Sequence, residues 1–261
     1  MTFQTIEITN DNRGVAKLRL NLPDTHNAMS GAMIEELTQA ADQLAMDESI
    51  RAVILTGTGR SFCAGGDLGW MRQQFDADRQ TRIAEALKLA GMLRKLNELP
   101  KPLIGRINGQ AYGGGIGMMS VCDVVIGVAT AKFALTETRL GLIPATISPY
   151  VIARMGEALA RQVFMSGRRF DGEEAVRLGL LAKAVDEDDL DIATEAEIMP
   201  YLSTAPGAVA KAKALARSLG PKIDDAVMQD TAERLADCWE NAEAHEGIAA
   251  FFEKRKPSWQ V

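Results

Sequence analysis

The sequence has few cysteines and histidines, and their spacing excludes several kinds of site. Its three cysteines, Cys63, Cys122 and Cys238, lie far apart in the chain. No two of them form a CxxC pair, so we expect neither a disulfide framework nor a cysteine-based zinc site. The two histidines, His26 and His245, form neither an HxxxH nor an HExxH pair. We therefore predict a reduced protein without a metal centre.

Long apolar runs are also absent, and the charge is nearly balanced. No run approaches the roughly 18 consecutive apolar residues of a membrane-spanning helix. Residues 1–14 have neither the basic segment nor the apolar core of a secretory signal. We accordingly expect a cytoplasmic protein that does not engage a membrane. The net charge of −6 argues against a protein that coats nucleic acid.

The patterns that are present predict an α/β fold. The chain has 261 residues, of which 47% are hydrophobic, so it is long enough to bury a large core. Alternating segments at 3–9 and 15–21 predict a β-hairpin. Compact apolar runs at 52–56, 103–107 and 124–128 predict strands separated by helices. Such an alternation is typical of a largely parallel sheet.

After about residue 200 the patterns become helical. Before that point, Asp171–Glu174 already reads as a capping box at the start of a short helix. Two further helices are predicted at 206–219 and 224–253. We therefore divide the chain into an α/β core, residues 1–200, and a helical C-terminal segment, residues 201–261.

Two glycine-rich stretches follow predicted strands. Residues 61–68 come after the strand at 52–56, and residues 109–117 come after the strand at 103–107. Glycines between a strand and a helix leave backbone N–H groups free at the positive end of the helix. Because parallel strands end at the same edge of a sheet, two such groups can converge on one oxyanion. Two alternatives stay open. The glycines can serve only tight turns, or they can belong to a dinucleotide-binding GxGxxG whose third glycine is replaced by Met118.

Several separated motifs resemble the crotonase (enoyl-CoA hydratase/isomerase) superfamily. They are HNAM at 26–29, AGGD at 64–67, GGGIG at 113–117, TETRLGLIP at 136–144, MSGRRFDGEEAVRLGLL at 165–181 and FFEKRKPSW at 251–259. The resemblance runs almost from end to end. It implies a spiral core of ββα repeats, a helical C-terminal trimerisation segment, and a homotrimer or dimer of trimers. It also implies an acyl-CoA thioester substrate and no other cofactor, since coenzyme A is part of the substrate.

The resemblance also assigns roles to individual residues. It places the oxyanion-binding N–H groups at Gly66 and Gly114. It places the coenzyme A moiety near four residues, the last two contributed by a neighbouring subunit: Ala28, Ala64, Phe252 and Lys254. Without the resemblance, the stretch at 251–256 would be read as an amphipathic helix end with a solvated basic face.

The acid/base residues depart from the family pattern. Hydratases of the family have two glutamates, of which the second matches Glu137 and the first aligns with Gly117, which has no side chain. We therefore expect Glu137 to carry both proton transfers, or to share them with a residue that the motifs do not identify, with a pKa raised toward neutrality in a closed apolar site. The alternative for Glu137 is a surface pair with Arg139.

The stretches at 65–72 and 140–157 resemble 3-methylglutaconyl-CoA hydratase-like members, which commonly lack the first glutamate. Arg72 is a candidate for binding a distal substrate carboxylate through a bidentate fork, and a solvated helix arginine is the alternative. Trp70 and Met71 are candidates for the wall of the acyl pocket or for the core.

The expected activity is addition of water across the C2–C3 double bond of a 2-enoyl-CoA thioester, which can be branched or carboxylated, as in 3-methylglutaconyl-CoA. The same glutamate suits a 3,2-enoyl-CoA isomerase. A third reading is an acyl-CoA-binding member that has lost catalysis.

Overall fold

In the computed structural model, which describes residues 3–260, the strands form two sheets. The strands are Ile6–Asn10 (β1), Val15–Leu20 (β2), Ala52–Gly57 (β3), Ser61–Cys63 (β4), Leu103–Ile107 (β5), Gln110–Tyr112 (β6), Val124–Val128 (β7), Phe133–Ala134 (β8) and Lys183–Val185 (β9). The larger sheet has the order β1-β2-β3-β5-β7-β9, and the smaller has the order β4-β6-β8. The opening hairpin is antiparallel and the other strand pairs of these residues are parallel, which confirms the α/β class.

Helices cover the sheets and form the C-terminal part of the chain. They are Gly31–Met46 (α1), Leu68–Asp76 (α2), Arg79–Glu98 (α3), Gly114–Ser120 (α4), Ser148–Met155 (α5), Glu157–Phe164 (α6), Gly172–Arg177 (α7), Leu190–Leu202 (α8), Pro206–Ser218 (α9), Asp225–Trp239 (α10) and Ala242–Phe252 (α11). Within the described residues, none of them has the length and apolar character that crossing a membrane requires.

The predicted strands lie where their apolar runs indicated. All six residues of β3 are buried, as expected for a central parallel strand covered on both faces. The helix α1 begins after Ser30, whose hydroxyl accepts a hydrogen bond from the Met33 N–H at 3.3 Å. Its inward face packs through Met33 and Leu37, both fully buried. Local patterning therefore accounts for the frame of the larger sheet.

Two details of the sequence prediction are wrong. The helix expected at 224–253 is two helices, because Asn241 takes an extended conformation that ends α10 and starts α11. The chain then turns back, so that Gly247 of α11 lies directly against Leu140. The capping box at 171–174 is half formed. Asp171 caps the Glu174 N–H at 3.0 Å, but the Glu174 carboxylate binds Arg168 instead of turning back.

The glycine-rich stretches do not follow β3 and β5 directly. The first begins with β4 and the second contains β6, so each loop leaves a short strand of the smaller sheet. Each unit is thus two strands followed by a helix: β3, β4 and α2, then β5, β6 and α4.

The C-terminal helices pack against the helix of the first of these units and against the segment that follows β8. An apolar cluster joins Leu142, Trp239 and Ile248 with the partly buried Phe75 and Phe252. It ties α10 and α11 to α2 and to the segment that follows β8. The division of the chain at residue 200 falls near the end of α8 and stays a prediction.

Candidate active site

The two glycine loops lie side by side, backbone against backbone. The strands β4 and β6 pair in parallel, with Cys63 opposite Ala111. A Cβ on Gly65 would lie 3.2 Å from the carbonyl oxygen of Tyr112, and a Cβ on Gly115 would lie 2.8 Å from that of Cys63. Because only glycine leaves room for such an approach, these residues fix how closely the loops can meet.

The loops present two free backbone N–H groups around one side chain. Within the described residues, neither the Gly66 N–H nor the Gly114 N–H has a hydrogen-bond partner. Met29 forms a parallel bridge with Gly66. A Cβ on Gly114 would lie 2.8 Å from the Met29 methyl carbon, so this methionine contacts both loops. Two unengaged donors close to one point can bind an oxyanion.

Glu137 brings its carboxylate to the start of α4. It begins the short 3₁₀ turn Glu137–Leu140 after β8. Its Oε1 lies 3.0 Å from the position that a Cβ on Gly113 would occupy, directly before Gly114. Gly113 has φ +48°, a conformation that a larger residue would adopt only with strain. The chain thus holds a carboxylate beside one of the two free N–H groups.

The surroundings of Glu137 favour the neutral acid. Although the residue as a whole is half-buried, its Oε2 is enclosed and has no partner among the described residues. Loss of hydration raises the pKa of Glu137 to about 7, against a smaller lowering by a backbone hydrogen bond. The exposed Arg139 packs along Gly167 and forms no ion pair with this carboxylate. Glu137 is therefore not a surface ion-pair residue, and its pKa suits both accepting and donating a proton.

Gly117 lies one turn beyond Gly113 on the same face of α4, and an isoleucine fills the space beside it. A Cβ on Gly117 would lie 2.5 Å from Cγ2 of Ile147 and 3.7 Å from Cδ1 of Leu93. The side chain of a residue larger than glycine would collide with Ile147. Sequence reasoning did not single out Ile147, because its position ten residues after Glu137 carries no local signal.

The candidate pocket residues Trp70 and Met71 lie against the first loop. Their side-chain atoms are within 3.8 Å of the position of a Cβ on Gly66. Asp67 caps α2 by accepting a hydrogen bond from the Trp70 N–H at 3.0 Å. This hydrogen bond holds the loop at Asp67 together. Trp70 and Met71 lie beside Gly66, whose N–H is free.

Arg72 stacks on the aromatic ring of Phe252. Its guanidinium carbon lies 4.8 Å from the ring centroid, within the range of a cation–π contact. No described carboxylate forms an ion pair with Arg72. Phe252 therefore already has a contact within its own protomer. The assignment of Phe252 and of the exposed Lys254 to a neighbouring subunit's coenzyme A stays a prediction.

The structure also brings Ala28 and Ala64 to one edge. The Ala64 N–H donates to the carbonyl oxygen of His26 at 3.0 Å. His26 and Asn27 both have φ +55°, and the buried Asn27 amide holds this turn by donating to the carbonyl oxygens of Thr58 and Ser61. The contact of Ala28 and Ala64 with coenzyme A stays a prediction.

Taken together, two free backbone donors and a neighbouring carboxyl of near-neutral pKa define a site that stabilises an oxyanion and moves a proton. A family model described as enoyl-CoA hydratase/isomerase matches residues 10–261. The chain is 33% identical over 246 residues to enoyl-CoA hydratase AKT6-1 of Alternaria alternata, covering 93% of this chain and 80% of that one. It is 32% identical over 251 residues to mevalonyl-coenzyme A hydratase sidH of Aspergillus fumigatus, covering 93% and 90%.

Solved structures agree. An enoyl-CoA hydratase from Shewanella pealeana superimposes with a TM-score of 0.81 at 38% identity, covering 98% of this chain and 96% of that one. The chain belongs to the enoyl-CoA hydratase/isomerase family and is an enzyme of this family.

Proposed function

We propose that this chain adds water across the C2–C3 double bond of a 2-enoyl-CoA thioester. The observation that carries the proposal is the placement of the Glu137 carboxylate beside the free N–H of Gly114, with the free N–H of Gly66 on the adjoining loop. The hydratase names of the relatives support the same reaction.

The two N–H groups act on the thioester oxygen. When water attacks C3, electron density moves through C2 to that oxygen, which becomes enolate-like. Donors that are already in place strengthen their hydrogen bonds as this charge develops, and losing one such donor typically costs about 10²–10³ in rate. Because they are backbone groups held by packed loops, they need no rearrangement when the charge appears.

Glu137 moves the protons. In ionised form it accepts one proton from water while the water oxygen bonds to C3. The neutral acid then donates that proton to C2, and the C2–H bond forms as the enolate collapses to the thioester. The net change is addition of one water molecule, and Glu137 returns to its ionised form.

The test is turnover of wild type and Glu137→Gln with crotonyl-CoA, followed by the loss of ultraviolet absorbance as the conjugated double bond is hydrated. We expect a loss of about 10³-fold in kcat for Glu137→Gln with little change in affinity, because the variant keeps the shape of the side chain and removes the proton acceptor. Wild-type turnover in this variant would exclude the mechanism.

The packing of Ile147 against Gly117 favours one second candidate, a 3,2-enoyl-CoA isomerase, because proton movement from C2 to C4 needs only one carboxylate. A 3-enoyl thioester would then gain conjugation and absorbance. If neither assay gives a signal, both reactions are excluded for these two esters.

For the acyl group we propose a branched or carboxylated ester such as 3-methylglutaconyl-CoA. Arg72 supports this substrate class, since it lies next to Met71 beside the oxyanion loop and has no ion partner in the described part of the chain. A guanidinium in that state can take a carboxylate in bidentate geometry. Hydration rates of charged and uncharged esters, measured side by side, decide the point.

A further inference from the structure

A buried hydroxyl close to the candidate site has no partner. Thr146 is 5% exposed, and its Oγ1 makes no hydrogen bond within the described residues. Leaving a buried polar group without a hydrogen bond destabilises the folded protein. Such groups in a native structure call for a partner that comes from outside the chain, such as water or ligand.

Thr146 lies at the end of the segment that begins with Glu137. That segment meets the same face of α4 twice. Glu137 contacts it at Gly113, and Ile147 contacts it at Gly117, one turn further on. Residues four apart on a helix are neighbours about 6 Å apart. The orphan Oγ1 of Thr146 and the orphan Oε2 of Glu137 therefore belong to one short loop that is held at both ends by one helix face.

The backbone at Thr146 points to the same conclusion. Its N–H and that of Ile147 donate no hydrogen bond to any described residue, and α5 begins directly after them. Free N–H groups before a helix favour an electron-rich partner. A water oxygen that is losing a proton is such a partner, and the Thr146 hydroxyl can accept that water's other O–H.

Because the first glutamate of the family is absent, the attacking water lacks one hydrogen-bond acceptor. In a site with one glutamate, the attacking water has only one side-chain acceptor, and its second O–H needs another. Ile147 occupies the space beside Gly117 and cannot supply one. Within the described residues, the buried side-chain oxygens of the 137–147 loop that have no partner are Oε2 of Glu137 and Oγ1 of Thr146. Thr146 is next to Ile147.

Given the proposed hydration, we propose that the Thr146 hydroxyl accepts a hydrogen bond from the O–H that the attacking water keeps, while Glu137 takes the other proton. The water oxygen bonds to C3, its bond to the transferred proton breaks, and the retained O–H becomes the hydroxyl of the 3-hydroxyacyl product. Thr146 forms and breaks no covalent bond. Its effect is to orient the water and to bind the product hydroxyl.

The test compares Thr146→Val, which keeps the shape and removes the hydroxyl, with Thr146→Ser, which keeps the hydroxyl. With crotonyl-CoA we expect kcat to fall about tenfold in Thr146→Val with KM within about twofold, since one neutral hydrogen bond to the reacting water is lost. Thr146→Ser should stay within about threefold of wild type. Thr146→Ala gives the same information if Thr146→Val does not fold.

Tyr150→Phe is the matched control. It removes another buried hydroxyl that has no partner among the described residues, one turn further along the chain. The charged residues near the Tyr150 hydroxyl are Arg94, Glu98 and Arg217, which lie on α3 and α9 and not at the candidate site. We expect it to leave turnover unchanged. Equal losses in Tyr150→Phe and Thr146→Val, or wild-type turnover in Thr146→Val, would overturn the role of Thr146 while hydration stands. A wild-type enzyme that hydrates no enoyl-CoA would overturn the proposed function first.

Discussion

Glu137 stands out among the side chains because it combines an enclosed carboxylate oxygen with a position beside a free backbone donor. The sequence predicts this residue through the family resemblance, and it predicts that the pKa is raised. The TETRLGLIP motif by itself does not show that the carboxylate is buried. The sequence could not show which contacts enclose the carboxylate and so raise its pKa. The enclosed carboxylate lies against Gly113, which is distant in the sequence and belongs to a different ββα unit.

The raised pKa of Glu137 makes a prediction about pH. A base with a pKa of about 7 must be ionised to accept a proton, so kcat/KM should be constant above pH 7 and fall about tenfold per pH unit below it. A rate profile measured from pH 5 to 9 checks this. If the rate instead begins to fall only near pH 4.5, the ordinary pKa of glutamate, then burial does not raise the pKa of Glu137.

Stability gives an independent check of the same pKa. The folded value lies above the unfolded 4.5, so the folded chain retains a proton between about pH 4.5 and pH 7 that the unfolded chain has lost. The destabilising effect of Glu137 is thus absent below pH 4.5 and complete above pH 7. Glu137→Gln should raise the free energy of unfolding at pH 8 by at most about 3 kcal/mol relative to its effect at pH 4.5. Urea titrations at both pH values measure the difference.

Arg72 carries the prediction about the acyl group. Arg72→Ala should raise KM for a carboxylated ester such as 3-methylglutaconyl-CoA by at least about tenfold, since a charge-assisted hydrogen bond contributes about 1.5–3 kcal/mol. Crotonyl-CoA, which has no distal charge, should be affected much less. Phe252→Leu, which removes the stacked ring and keeps the charge, is the control. Equal effects of Arg72→Ala on both esters would remove the carboxylate hypothesis.

At the scale of elements, the residues of the candidate site contact one another at the helix α4. Its first residue offers the Gly114 N–H, its preceding Gly113 receives Glu137, and Gly117 receives Ile147. At its other end Arg154 donates hydrogen bonds to the carbonyl oxygens of Ser120 and Cys122. The position of this short helix is therefore fixed at both ends by side chains from the segment 137–154.

The contact between Gly117 and Ile147 is the most sensitive one on this helix. Glycine to alanine in a helix interior is usually stabilising by about 0.5–1 kcal/mol. Here the new methyl would lie 2.5 Å from Ile147 Cγ2, so Gly117→Ala should instead destabilise by about 1–3 kcal/mol. Denaturant unfolding of Gly117→Ala, Ile147→Ala and the double variant measures this. The double variant should lose less than the two single losses combined, and strict additivity would show that the two residues do not collide.

How well an element could be predicted depends on how local its signal is. The strands predicted at 52–56 and 103–107 are mostly apolar and lie where the sequence indicates. By contrast, β6 and β8 are two or three residues long and are set by pairing with distant segments. The glycine loops were expected to be neighbours because parallel strands share an edge. Their attachment to a second sheet could not be seen, since no residue pattern separates β4 from the loop that follows it.

At the scale of the molecule, α9 and the turn after it leave apolar side chains uncovered. Leu215 and Leu219 are 61% and 80% exposed on α9 and the turn after it. Exposed apolar surface of this kind is typical of protein contacts. Together with the family resemblance, it supports the proposal that the chain forms a homotrimer or a dimer of trimers.

Light scattering tests the assembly. Three copies of a 28.2 kDa chain give a particle of about 85 kDa, and a dimer of trimers twice that mass. Leu219→Glu should shift the population toward smaller species, because it places a charge on the uncovered surface, whereas Lys222→Glu, at an exposed position nearby, should not. A particle of about 28 kDa at micromolar concentration would contradict the proposal.

The structure of Glu137→Gln bound to a 2-enoyl-CoA thioester tests most directly whether the two glycine loops bind the thioester oxygen. In this complex the thioester oxygen should lie about 2.7–3.1 Å from the backbone nitrogens of both Gly66 and Gly114, with residue 137 facing C2 and C3. A thioester oxygen bound elsewhere, or a residue 137 turned away from those carbons, would contradict the proposed mechanism.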